Sequence, residues 1–237
     1  MPLYYLTMVD NVWKGTRMLL SQRTAQIIYS KHEELRGITW TDGEANTDSG
    51  FSKLACASTI EAWNNIKEKY PNYKNVSITC ESPDVTIRFW KDSGLLASGK
   101  IELKSGKGKV IPGSTIGNLD MNEPVIFCLR NESDGTFQIR YGQYHNCIGE
   151  TDTDLFQDRT PRPQVNFQKM TDIGTALEYI HKEKSDWVEH YASCALLRTK
   201  ASKPYKSWQD YLTASIIKLF IKGTSIEEFA RLKSELS

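Results

Sequence analysis

Three residues of this chain have the types and spacing for metal-assisted hydrolysis of a phosphodiester. Pro83–Asp84 is followed, after seventeen residues, by Glu102–Leu103–Lys104. Side chains on a strand alternate faces with a period of two. Glu102 and Lys104 therefore share one face, and Ile101 and Leu103 the other. The apolar pair can bury in a core while the charged pair lines a cleft. Just upstream, Val85, Ile87 and Phe89 alternate with Thr86 and Arg88, which puts Asp84 at the start of a second strand on the polar side. If the two strands pair as a hairpin, Asp84 comes close to Glu102. A hard cation such as Mg²⁺ prefers oxygen ligands and takes one or two carboxylates. It polarises a phosphate and activates water, while a neighbouring lysine holds that water and stabilises developing negative charge. The same residues also fit a plainer arrangement, a surface hairpin whose charges pair with one another.

Pro83–Asp84 … Glu102–Leu103–Lys104 resembles the PD-(D/E)XK motif of type II restriction endonucleases and their relatives. The resemblance covers about residues 52–144, a helix followed by strands. It implies an α/β fold, a central mixed sheet flanked by helices. It also implies that Asp84, Glu102 and the Leu103 carbonyl ligate Mg²⁺ and that Lys104 activates the attacking water. The expected reaction cuts double-stranded DNA to a 5′-phosphate and a 3′-hydroxyl. A two-fold homodimer would present the same surface to both halves of a palindromic site. Related enzymes place a further acid on the preceding helix, which makes Glu61 a candidate for the catalytic set; a solvated helix-surface acid is the alternative. A structure-specific repair or junction nuclease, or a non-catalytic DNA-binding protein, are the other readings.

Around this motif the chain reads as helix, sheet, helix. Val12, Met18, Leu19, Ala25, Ile28 and Tyr29 recur at helical spacing and predict a helix over 11–36, stopped by Gly37. A polar loop follows. Leu54, Ala57, Ile60, Ala62, Trp63 and Ile66 predict a second helix from Ser52 to about Tyr70, ended by Pro71. About five strands come next, with 132–135 as a hairpin turn. From Asp172 onward the pattern predicts helices to the end, which serve as dimer or DNA-flanking elements. The expected organisation is one domain over 1–237, with a catalytic core at 52–144, an irregular DNA-facing segment at 145–170 and C-terminal helices at 172–237.

The 237 residues carry a net charge of +1, so composition gives no nucleic-acid signal, but the signs are segregated. Residues 99–109 hold four lysines and one glutamate, and 198–206 hold four cations and no acid. Ser105, Lys107 and Lys109 follow the motif directly, where DNA phosphates need neutralising. Arg159, Arg162, Gln164, Asn166, Gln168 and Lys169 carry the guanine- and adenine-reading side chains expected of a readout loop. A plain surface loop fits that segment as well. The tryptophans read as core or interface residues.

Apolar content of 39% and charged content of 25% indicate an ordinary globular protein. No apolar run approaches the roughly 18 residues of a membrane span. Five scattered cysteines without a CxxC spacing argue against a zinc module or a disulfide framework. With no signal peptide discerned, a cytoplasmic location is expected. P-loop, GxSxG and HExxH signatures are missing.

Overall fold

A computed structural model describes residues 3–40, 49–71, 73, 75–81, 84–91, 94–114, 120–131, 133–148 and 163–181. The chain divides into two compact units. One comprises 1–111, 120–147 and 165–182, and the other 112–119, 148–164 and 183–237. Nearly all described residues belong to the first.

The first unit opens with α1 (Leu3–Ser30) and the short α2 (His32–Arg36). The expected single helix over 11–36 starts earlier and breaks at Lys31, whose φ of −95° and ψ of 40° leave the helical region. Next comes α3 (Ser49–Ile66), extended by a 3₁₀ turn over Lys67–Lys69. Strands β1 (Asn75–Glu81), β2 (Asp84–Lys91) and β3 (Gly94–Gly106) form an antiparallel meander. After β4 (Val110–Pro112) come β5 (Pro124–Asn131) and β6 (Thr136–Gln143), an antiparallel hairpin. Then follow α4 (Tyr144–Cys147), β7 (Gln164–Asn166), a 3₁₀ turn over Phe167–Lys169 and β8 (Thr171–Asp172). The described residues build a six-stranded sheet in the order β1-β2-β3-β5-β6-β8, and β4 pairs with β7 separately. β3 and β5 run parallel, which makes the sheet mixed. The expected α/β class with a central mixed sheet is therefore present.

Packing on this sheet follows from the alternation. Val85, Ile87, Phe89, Ile101, Leu103, Ile126, Cys128, Ile139 and Tyr141 form one buried face. α1 and α3 cover it. On α1, Trp13, Arg17, Leu20, Thr24 and Ile28 recur every three or four residues and are buried; on α3, Phe51, Ala55, Ser58, Ala62 and Ile66 do the same. Small side chains at the crossing let the helices approach, and Thr24 bonds Thr59 there at 3.2 Å. Phe89 is the hub of an aromatic cluster. Trp13 meets it edge-on at 4.0 Å, and Tyr73 and Trp63 pack at 4.7 and 5.6 Å. Trp13 and Trp63 are thus core residues, as expected, and so is Phe51. No helix among the described residues is long and apolar enough to cross a membrane.

The helix expected from Asp172 does not form over the described residues. β8 occupies Thr171–Asp172, and 176–181 is irregular. Side chains of β6 take up the backbone groups that a helix would have used. The buried Gln143 donates to the Ile180 carbonyl at 2.5 Å and accepts from the Ile180 N–H at 3.2 Å. The Tyr141 hydroxyl donates to the Thr175 carbonyl. Gly174, at a φ of 99°, supplies a conformation that a side chain would strain. The helices expected beyond 181 lie outside the described residues.

This arrangement makes Gln143 a keystone of the segment. Gln143→Ala removes its hydrogen bonds to the Ile180 backbone and to Asn122, and should cost about 1–3 kcal/mol. Thermal denaturation would measure the loss, and hydrogen exchange should show faster exchange concentrated in 171–181.

Candidate active site

Asp84 begins β2, and the register aligns Val85 with Ile101 of β3. The hairpin therefore brings Asp84 to the level of Glu102 and Leu103. The Leu103 N–H donates to Asp84 Oδ1 at 3.3 Å. In a strand, one residue's N–H and C=O leave on the same edge. The Leu103 carbonyl consequently opens on the edge where Asp84 lies. Glu102 is only 2% exposed. Lys104, two residues on and on the same face, places Nζ 2.5 Å from Glu102 Oε1. Lys100 Nζ stands 3.6 Å from Asp84 Oδ2.

Burial pushes the Asp84 carboxyl above its ordinary value, and the nearby Glu102 charge pushes the same way. The Leu103 N–H, Lys104 and Lys100 oppose this. Two mutually repelling carboxylates, drawn together by local strand pairing, form a position that a cation would relieve.

A third acid lies at the start of the neighbouring strand. Glu123, just before β5, is 6% exposed. Its carboxyl is pushed up to about 8, first by burial and then by Glu102; Asp120 and Asp84 add to the rise, and Arg17 opposes it. Parallel pairing of β3 with β5, which aligns Glu102 with Val125, brings this acid alongside. Arg17, buried on the inner stripe of α1, lies 3.8 Å from Asp120. Sequence reasoning missed both Glu123 and Arg17. The available signal was Arg17 itself, a charge four residues after Trp13 and three before Leu20 on an apolar stripe. The β3–β5 adjacency had no local signal.

Glu61 does not join this group. It is exposed on α3 and pairs with Lys31 Nζ at 2.9 Å. Ser105 lies on β3 level with Cys128, so its side chain shares the helix-covered face with Leu103, opposite to Lys104. Lys107 and Lys109 are exposed in the turn after β3. Of the expected readers, Arg159 and Arg162 lie outside the described residues. Gln164 is half-buried in β7, and Gln168 and Lys169 are exposed. Asn166 is buried, and its side chain accepts from the Gln168 N–H at 2.9 Å, capping the 3₁₀ turn.

Comparison with known protein families, with curated proteins and with solved structures finds no match to this chain. The chemistry of the site thus rests on its own residues. Among the described residues no three His, Cys, Asp or Glu side chains gather as a ready cage for a metal. Mg²⁺ does not need one, because it keeps several of its waters and uses one or two carboxylates. Asp84 and Glu102, with the Leu103 carbonyl on the same edge, fit that demand.

Proposed function

We propose that this chain is a Mg²⁺-dependent, sequence-specific endonuclease of double-stranded DNA with a PD-(D/E)XK centre, resembling type II restriction enzymes. The observation that carries the reading is the meeting of Asp84 with Glu102 and Leu103 across the β2–β3 hairpin, with Lys104 against Glu102. Bound Mg²⁺ supplies Lewis acidity at the scissile phosphate. Asp84, Glu102 and the Leu103 carbonyl hold it. Lys104 orients the attacking water and stabilises the negative charge that develops as the phosphodiester opens. The products are a 5′-phosphate and a 3′-hydroxyl. Lys107 and Lys109, exposed in the turn after β3, would meet backbone phosphates.

Incubation of the purified protein with a sequenced plasmid and Mg²⁺ tests this reading. Discrete fragments support a restriction enzyme, and nicking confined to branched DNA supports a repair or junction nuclease. The ion pairs of Lys104 with Glu102 and Lys100 with Asp84 favour a second reading, a DNA-binding protein in which these charges satisfy one another. Absence of cleavage supports that one.

One centre per chain cuts one strand, so a symmetric double-strand cut needs two chains. Doubling 27.0 kDa gives an expected dimer of about 54 kDa. Sedimentation showing only monomer, free and on DNA, would favour a nicking role instead.

A further inference from the structure

Glu123 and Arg17 have no part in the proposed mechanism, yet they are among the most buried charged groups of the first unit. The turn that carries Glu123 is fixed from several sides. The Glu123 N–H donates to the Asp120 carbonyl at 3.0 Å, and the Asn122 N–H donates to Asp120 Oδ1 at 2.9 Å. The Tyr144 N–H donates to the Glu123 carbonyl at 2.9 Å, and the His145 N–H to that of Met121 at 3.1 Å. Gln143 reaches Asn122 Oδ1 at 3.3 Å. The backbone that carries Glu123, two residues before the Val125 partner of Glu102, is therefore firmly held.

Arg17 enters the same cluster from the helix layer. It is 4% exposed, and its Nε has no hydrogen-bond partner among the described residues. A guanidinium so placed is costly unless acids hold it. Its Nη2 lies 3.8 Å from Asp120 Oδ2, and its charge acts on Glu123. Gly99 of β3 leaves space for it: a Cβ there would lie 2.8 Å from Cζ, and the guanidinium would have to shift. Arg17 thus spans from the Gly99 gap to the Asp120–Glu123 turn.

We infer that Glu123 is a third acid of the Asp84–Glu102 cation centre, acting on the outer hydration shell of the ion, and that Arg17, seated on Gly99, is the positioning residue that holds it there. The inference rests on the cation centre proposed above. An outer-shell role suits a cation that keeps several waters. Acids that orient the partners of a metal typically contribute about 10–100-fold to its affinity.

Mn²⁺ affinity of the full chain without DNA, measured by electron paramagnetic resonance, separates the possibilities. Asp84→Asn should abolish specific Mn²⁺ binding. Glu123→Gln should weaken it by at least about tenfold, without lowering the melting temperature of the metal-free protein. Arg17→Met should weaken it similarly, and Arg17→Lys should restore part of the loss. If Arg17→Met fails to fold, Glu123→Gln decides alone. Loss in Asp84→Asn with unchanged affinity in Glu123→Gln overturns this inference and leaves the cation centre standing. No Mn²⁺ binding that depends on Asp84 overturns both.

Discussion

Asp84→Ala, Glu102→Ala and Lys104→Ala are each expected to slow DNA cleavage by at least about 10²-fold, the scale on which single electrostatic groups act in catalysis. Binding should respond differently. Asp84→Ala removes negative charge beside the scissile phosphate, so metal-free affinity for uncut DNA should persist or tighten. Lys104→Ala removes a positive charge and should bind slightly more weakly. A set of mutually satisfied surface charges would behave otherwise. Each change would then cost roughly 0–1 kcal/mol of stability and leave activity intact. Single-turnover cleavage and metal-free binding, measured on the same variants, distinguish the two.

The second large effect concerns pH. The Glu123 carboxyl is pushed up from 4.5 to about 8 in the folded protein. Between these values the folded chain holds a proton that the unfolded chain has released. Stability at this group is therefore fully present below about pH 4.5 and is lost as pH rises through about 8. The shift corresponds to about 3–5 kcal/mol at full ionisation. Asp84, raised by burial and by Glu102, acts in the same direction. Denaturant unfolding in the absence of metal should show stability falling from pH 5 to pH 8. Glu123→Gln, which cannot ionise, should flatten that slope and be the more stable protein at pH 8. An equal slope in both proteins would mean that Glu123 is not the group responsible.

Local relations were legible in the sequence, and distant ones were not. β2 and β3 are neighbours in the chain, so period-two alternation sufficed to bring Asp84 to Glu102 and to put Lys104 on the same face. The same alternation places Ser105 with Leu103, and applied strictly it removes Ser105 from the charged face. β5 joins β3 in parallel after an intervening stretch, and no local pattern declares such a pairing. Glu123 was invisible for that reason. The segment after Asp172 has helical spacing, but the side chains of Tyr141 and Gln143 capture its backbone. Tertiary hydrogen bonds override propensity there. Asn166 has the side chain of an adenine reader, yet it caps its own turn, as short polar side chains often do.

The most direct measurement is a crystal of the full chain soaked in Mn²⁺ and examined by anomalous scattering. The account predicts a peak between Asp84 and Glu102, with oxygens of both carboxylates and the Leu103 carbonyl in direct coordination. It also predicts that Lys104 Nζ moves off Glu102. No peak there, with Lys104 still on Glu102 and Lys100 still on Asp84, would contradict it.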